Sequence, residues 1–126
     1  MTDFDRLQHA GDIRAVFDAR TVGHGGAMAL HVRRRPDDDG PGRATVVAGR
    51  KVGDAVRRNR AKRRLRAALH QTGVPRGTDV VVVARSQALT AAFPELIDEV
   101  ERLLGRVGDH AARAQPADDR VARSGT

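Results

Sequence analysis

The sequence contains no cysteine, no tryptophan and no tyrosine, and it has only three phenylalanines among its 126 residues. The absence of cysteine excludes disulfides, thiolate chemistry and cysteine-ligated metals. No apolar stretch approaches the roughly 20 residues that cross a bilayer, and the acidic start at residues 1–5 does not fit a signal peptide. A chain of this length forms one core rather than two, so we expect a soluble, cytoplasmic protein with one domain.

Patterns that would support catalysis by the protein itself are also missing. No pair of histidines has metal-ligand spacing next to an acid, and no glycine-rich phosphate loop is present. The turn at residues 37–39 holds three aspartates, but it lacks the rest of a calcium-loop pattern and is interpreted as solvated surface. We therefore predict that the protein contributes no catalytic residue and no metal ligand.

Positive charge is abundant, and it is concentrated in one segment. Residues 50–66, called the basic segment below, carry nine basic residues and one acid, whereas the rest of the chain is close to neutral. The basic residues are Arg50, Lys51, Arg57, Arg58, Arg60, Lys62, Arg63, Arg64 and Arg66. Like charges at helical spacing repel one another, so their accumulation indicates a polyanionic partner. Nucleic acid is the favoured partner, and an acidic protein or a membrane surface are the alternatives.

The periodicity of the first half of the chain predicts a short helix followed by two strands. The apolar residues of this helix that fall largely on one stripe are Leu7, Ile13, Val16 and Phe17. The alternating residues 27–35 and the run 44–48 indicate the strands. A turn-rich connector lies between the strands, so we expect them to form a hairpin.

The residue pattern of the second half predicts a helix, a strand and a last helix. Asp54 is suited to cap a helix that ends near Gln71. The apolar seam of this helix consists of Ala61, Leu65, Ala68 and Leu69. The β-branched run 78–85 indicates a strand that is covered on both faces, and residues 93–106 indicate the last helix.

Together these elements predict a small α+β domain in the order α-β-β-α-β-α. The domain would span residues 1–108 and contain one mostly antiparallel sheet of three to four strands with helices packed on it. Residues 109–126 are polar, small and without period, which predicts a disordered tail.

The few aromatic residues leave the class of nucleic acid open. Recognition of single strands usually adds stacking aromatics, and this chain offers only Phe4, Phe17 and Phe93. Composition alone favours Phe17 as a core residue. An RNA-binding module of ribosomal type and a compact DNA-binding protein that inserts its basic helix into the major groove both stay open at this point.

The basic segment has a more specific pattern than a run of charges. A basic pair, a glycine, an Ala-Val pair and an Arg-Asn-Arg triplet follow one another at Arg50-Lys51, Gly53, Ala55-Val56 and Arg58-Asn59-Arg60. This spacing closely resembles the signature of the bacterial ribonuclease P protein component. Residues 6–17 look like the first helix of that family, and residues 79–85 look like its central strand. The resemblance spans about residues 5–107.

This resemblance implies a ribosomal-protein S5 domain 2-like fold with an unusual left-handed β-α-β crossover that carries the Arg-Asn-Arg helix. It also implies a partner, the ribonuclease P RNA subunit, which removes the 5′ leader from precursor tRNA with Mg²⁺ held mainly by the RNA subunit and the substrate. The chain would then belong to an endoribonuclease whose chemistry comes from RNA. Neither a membrane nor DNA is expected as a partner.

The resemblance further implies two sets of site residues. The basic residues named above, together with Asn59, would contact the catalytic RNA. A groove between the first helix and the sheet, lined by Ile13, Phe17, His31 and Arg33, would hold the single-stranded leader. This assignment reverses the interpretation of Phe17 from composition alone. Ile13 and His31 stand where the family often has phenylalanine and tyrosine, so the groove is poorer in aromatic rings.

Overall fold

The computed structural model describes residues 4–36 and 38–114. The strands are β1 (Asp5–Arg6), β2 (Val22–His24), β3 (Met28–Arg34), β4 (Arg43–Val47) and β5 (Thr78–Ala84). The helices are α1 (Ala10–Asp18), α2 (Ala55–Thr72) and α3 (Phe93–Ala114). One 3₁₀ helix, Arg50–Val52, precedes α2, and another, Ser86–Leu89, follows β5. Within the described ranges, none of the helices is both long and apolar enough to cross a membrane.

The five strands form one mixed sheet in the order β1-β4-β5-β3-β2. The central strand β5 pairs with β4 in parallel and with β3 in antiparallel orientation. At the two edges, β1 runs parallel to β4 and β2 runs antiparallel to β3. Val80, Val81 and Val82 in β5 are fully buried, which confirms the prediction of a strand covered on both faces.

The predicted hairpin between residues 27–35 and 44–48 is wrong, because β3 and β4 lie on opposite sides of β5. A parallel pair such as β4 and β5 requires a crossover connection, and α2 provides it. The sheet is therefore mixed and five-stranded rather than mostly antiparallel with three to four strands. The two additional strands, β1 and β2, are two and three residues long, too short for a periodic signal. The left hand of the crossover stays a prediction.

The two faces of the sheet are covered to different extents. Helices α2 and α3 cover one face and form the main core, to which Val80 and Val82 of β5 contribute. Helix α1 lies on the other face, where Val81 joins a smaller cluster with Leu7 and Val16. This alternation follows from the pleat, because successive side chains of a strand point to opposite faces. The face under α1 is covered by one short helix, which leaves room for a groove.

The helix boundaries differ from the predictions at two places. Helix α1 begins at Ala10, so Leu7 precedes it, although Leu7 still packs with Val16 in the smaller cluster. Helix α3 continues to Ala114, past the predicted domain end at residue 108 and into the predicted tail. The rest of that predicted tail, residues 115–126, lies outside the described residues.

A buried ionic cluster joins the three central strands at the start of β5. Asp79 is fully buried and stands opposite Arg43 of β4 and Arg33 of β3 in the sheet. Arg43 donates two hydrogen bonds to the Asp79 carboxylate, from Nε at 2.8 Å and from Nη2 at 2.7 Å. Arg35, itself only 7% exposed, donates from Nη1 to Asp79 at 2.6 Å.

Arg35 also organises the connection between β3 and β4. Its guanidinium donates to the carboxylate of Asp38 at 3.1 Å and to the carbonyl oxygen of Pro41 at 2.9 Å. Burial opposes the charge of Arg35, but its hydrogen bonds to Asp38 and Asp79 raise its pKa above the ordinary value. The cluster therefore stabilises the charged form of a nearly buried arginine.

Replacing Asp79 by asparagine is expected to destabilise the fold strongly, because the buried guanidinium of Arg35 would lose its buried counter-charge and keep only the exposed Asp38. Breaking a buried pair in this way costs about 3–5 kcal/mol in the free energy of unfolding. Urea denaturation of Asp79→Asn measures this cost, with Asp98→Asn, an exposed site on α3, as the matched control. A loss below about 0.5 kcal/mol, the range of ordinary surface substitutions, would contradict the structural role of the cluster.

Candidate nucleic-acid interface

A sharp turn of the backbone places the start of α2. Gly53 has a φ of +140°, and a Cβ at this position would lie 2.7 Å from the side chain of Arg57, so glycine is required here. Asp54 then caps the helix, and its Oδ1 accepts a hydrogen bond from the backbone N–H of Arg57 at 3.0 Å. This contact confirms the predicted cap.

The apolar seam sets the rotation of α2 and hence the direction of its charges. The four residues of the predicted seam are all 0% exposed, which confirms the prediction. The polar side chains of the basic segment that α2 exposes as a consequence are Arg57, Asn59, Arg60, Arg63 and Arg66. Arg50 and Lys51, in the 3₁₀ helix before α2, are exposed as well. Arg58, Lys62 and Arg64 are half-buried at the flanks. The helix thus presents one broad cationic face, called the basic face below.

Few acids offset this charge among the described residues. Asp54 approaches the guanidinium of Arg57 at 3.9 Å, and both side chains are about two-thirds exposed. An exposed pair at this distance contributes little, because water screens it. The basic face therefore keeps most of its positive charge available for an anionic partner.

Two arginines of the segment are engaged inside the protein. Arg64 donates from Nη1 to the carbonyl oxygen of Ala88 and from Nη2 to that of Ala91, both at 2.6 Å. The first carbonyl lies in the 3₁₀ helix Ser86–Leu89 and the second lies two residues after it, where backbone acceptors lack helical partners. Arg58 donates to the carbonyl oxygen of Gly53 at 3.0 Å. The sequence does not distinguish these positions from their exposed neighbours.

The four predicted groove residues lie on the α1 side of the sheet. Phe17 and His31 meet edge to face, with ring centroids 4.7 Å apart and an interplanar angle of 65°. Phe17 is 39% exposed, so it is not a core residue. Ile13 packs on the smaller cluster beneath α1. Arg33 lies two residues from His31 on the same side of β3.

The charge state of the groove follows from its surroundings. Burial lowers the pKa of His31 below 6.5, and the nearby His24 lowers it further. At neutral pH the His31 ring is therefore uncharged and acts as an aromatic partner of Phe17. Arg33 is the cation of this groove. Its side chain is 30% exposed, and its Nη1 lies 3.9 Å from Oδ2 of Asp79, which is too far for a hydrogen bond.

Sequence reasoning missed the residues that hold the groove in place. Arg43 bridges from Asp79 to Asp12 on α1, with Nη1 at 3.3 Å from Oδ2 of Asp12. Its hydrogen bond to Asp79 raises the pKa of Arg43. A signal was present in the sequence, because a charged Asp79 inside a strand predicted to be covered on both faces requires partners.

The described residues do not assemble a metal site. No group of three or more histidines, aspartates or glutamates among them has an arrangement that could hold a metal ion. The Asp79 oxygens accept hydrogen bonds from arginines. Asp38 accepts from the backbone N–H of Gly40 and from Arg35, and these bonds lower its pKa.

Comparison with known proteins identifies the family. The family model described as Ribonuclease P matches residues 1–108. The chain belongs to the family of ribonuclease P protein components. It is 51% identical over 84 residues to the ribonuclease P protein component of Symbiobacterium thermophilum, covering 65% of this chain and 72% of the relative. It is 39% identical over 105 residues to that of Acidothermus cellulolyticus, covering 81% and 87%.

Solved structures of ribonuclease P proteins have the same fold. The protein from Thermotoga maritima superposes with a TM-score of 0.68 at 26% identity, covering 81% of this chain and 96% of that one. A Staphylococcus aureus ribonuclease P protein superposes with a TM-score of 0.66 at 20% identity, covering 82% and 95%. The family model and the relatives confirm the family that the basic segment indicated, and the solved structures support the observed α+β architecture.

Adjacent arginines of α2 are expected to behave differently on truncation. Arg64→Ala removes two charged hydrogen bonds to backbone carbonyls and is expected to lower the free energy of unfolding by about 1–3 kcal/mol. Arg63→Ala, at an exposed position, is expected to change it by less than about 0.5 kcal/mol. Chemical denaturation of both variants measures the difference. Equal stabilities would show that the contacts of Arg64 are not structural.

Proposed function

We propose that this ribonuclease P protein component acts in the cytoplasm, where it assists the catalytic RNA in endonucleolytic removal of the 5′ leader from precursor tRNA. In this proposal the basic face of α2 binds the RNA subunit, and the groove under α1 binds the leader. The observation that carries the proposal is the cationic face itself, which lies within the family's signature and keeps its charge exposed.

The basic face is suited to a structured RNA. Arg57, Arg60 and Arg63 are exposed and recur at three-residue spacing, so their guanidinium groups lie along one side of the helix. Each arginine that neutralises a phosphate releases counterions from the RNA, so RNA binding by this face is strong at low salt. Arginine also offers a planar fork of donors that matches a phosphate.

The groove is suited to a single strand. Phe17 presents a partly exposed ring, braced by the edge contact with His31, and a base can stack on such a ring. Arg33 supplies a cation close by for the phosphate backbone. Because the groove and α2 lie on opposite faces of the sheet, the RNA subunit and the leader would not compete for the same side chains.

Mg²⁺ does not fit a site within the described part of the protein. Phosphoryl transfer needs metal ions to stabilise charge on the attacking and leaving oxygens. The carboxylates described above are engaged by arginines or backbone N–H groups. We propose that the RNA subunit and the substrate hold Mg²⁺, whereas the protein screens the repulsion between two polyanions and binds the leader.

A reconstitution at low Mg²⁺ tests this function. Ribonuclease P RNA is incubated with precursor tRNA, with and without the protein, and cleavage at the mature 5′ end is measured. The protein is expected to stimulate cleavage by the RNA and to cleave nothing alone. RNA binding without stimulation would favour a ribosomal-type RNA-binding module. A preference for duplex DNA over this RNA would favour a DNA-binding protein.

Variants in the two surfaces are expected to separate their roles. Phe17→Ala is expected to weaken binding of precursor tRNA by about 1–3 kcal/mol, the value of one stacking contact, with little effect on mature tRNA, which has no leader. The double variant Arg60→Ala/Arg63→Ala is expected to weaken assembly with the RNA subunit.

Filter binding of the three RNAs, together with thermal melting of each variant, provides the measurement. Leu7→Ala serves as the structural control, since loss of this buried side chain costs about 2–5 kcal/mol of stability and harms every function alike. If Phe17→Ala behaved as Leu7→Ala does, the groove assignment of Phe17 would be wrong.

A further inference from the structure

A cavity of about 500 Å³ lies at the β1 edge of the sheet, on the side of α2. The residues that line it are Phe4, Arg6, Ala44, Thr45, Arg66 and His70. Its volume falls within the range of about 300–1,000 Å³ that is typical of small-ligand sites. None of these residues belongs to the groove under α1, so the cavity is a separate feature of the molecule.

One wall of the cavity is aromatic. The rings of Phe4 and His70 stack with centroids 4.5 Å apart and an interplanar angle of 23°. Phe4 is half-buried and packs against the main core, which holds its ring in place. The stack joins the segment before β1 to the last turns of α2. In a chain with three phenylalanines and no tyrosine or tryptophan, this is a rare flat surface.

The cavity also contains two cations. Arg6 and Arg66 are exposed, and neither has an acidic partner within hydrogen-bonding distance among residues 4–36 and 38–107. Arg66 is the last residue of the basic segment, so the cavity continues the basic face along α2. An RNA strand that follows this face would reach the cavity without leaving the protein surface.

A planar ring beside two guanidinium groups matches the chemistry of a nucleotide. The base of a nucleotide has a π-face that stacks on aromatic rings, and its phosphate pairs with arginine. An inorganic anion would use the arginines alone, and an apolar ligand would use the rings alone. A paired base is already stacked within its duplex, so the combination favours a nucleotide that is unpaired.

We propose that this cavity binds one unpaired nucleotide of the RNA that lies along α2, with the base against Phe4 and His70 and the phosphate between Arg6 and Arg66. This inference rests on the proposed binding of the RNA subunit by the basic face. It adds a second single-nucleotide site on the face of the sheet opposite to Phe17.

The test compares ring and charge variants of the full chain in binding to ribonuclease P RNA. Phe4→Leu keeps apolar packing against the core but removes the ring, and it is expected to weaken binding by about 5- to 150-fold, as for one lost base stack. Arg6→Ala, at a cavity residue outside the basic segment, is expected to weaken binding and to reduce the slope of log K against log salt by about 1. Arg106→Ala, at an exposed site on α3, is the matched charge control and is expected to bind as the parent does.

Three outcomes would overturn the inference and are distinguishable from one another. If the parent chain binds the RNA and Phe4→Leu binds it equally well, the cavity holds no nucleotide, although the proposed function stands. If Phe4→Leu fails to fold, the binding of Arg6→Ala decides the question. An affinity of Arg6→Ala equal to that of Arg106→Ala would contradict the site. If the parent chain does not bind the RNA, the proposed function fails as well.

A second measurement separates a nucleotide site from a simple anion site. Adenosine 5′-monophosphate and inorganic phosphate are titrated separately into the full chain, and the ring proton signals of Phe4 and His70 are followed by NMR. The nucleotide is expected to shift both sets of ring signals, and inorganic phosphate is expected to leave the Phe4 signals in place. Equal shifts with both ligands would reduce the cavity to an anion site and overturn the proposal.

Discussion

The buried carboxylate of Asp79 is the contact on which the arrangement of the sheet depends. It lies at the start of the central strand and receives hydrogen bonds from Arg35 and Arg43, which follow β3 and begin β4. A shift of one residue in β5 would turn this charge toward the main core, where no arginine among the described residues is available to pair with it, and would take from Arg35 its buried partner. An unpaired buried charge costs several kcal/mol, so the cluster selects one register for three strands.

The same register creates the groove under α1. It places His31 opposite Val81 and Arg33 opposite Asp79, so the ring that meets Phe17 and the cation of the groove stand side by side. Arg43 extends the cluster to Asp12 and thereby ties α1 to the sheet. The two walls of the groove, α1 and the sheet, are therefore joined by ion pairs of Arg43 with Asp12 and Asp79, which do not line the groove. The other face packs against the apolar seam of α2, so the two proposed RNA surfaces share one sheet without sharing side chains.

Arginine has three different roles in this protein. Arg35 and Arg43 neutralise a buried carboxylate, Arg64 satisfies backbone carbonyls at the end of a 3₁₀ helix, and Arg60 and Arg63 remain exposed on the basic face. The guanidinium has five donors in a planar fork, which suit carboxylates, carbonyls and phosphates alike. The number of arginines in the sequence therefore overestimates the number of cations that are available to RNA. The burial of each arginine and its hydrogen-bond partners show which role it has.

By itself the sequence determined the elements that depend on local order. The cap at Asp54 follows from residue type, the seam of α2 from helical periodicity and the buried strand β5 from a β-branched run. The basic segment indicated the family, because spacing within a helix is a property of neighbouring residues. Tertiary structure alone decided which strands pair: β3 and β4 are joined to β5 and not to each other. It also decided that Arg64 turns inward and that Phe4 meets His70. These contacts join residues far apart in the chain, and no local period encodes which distant partner a side chain will find.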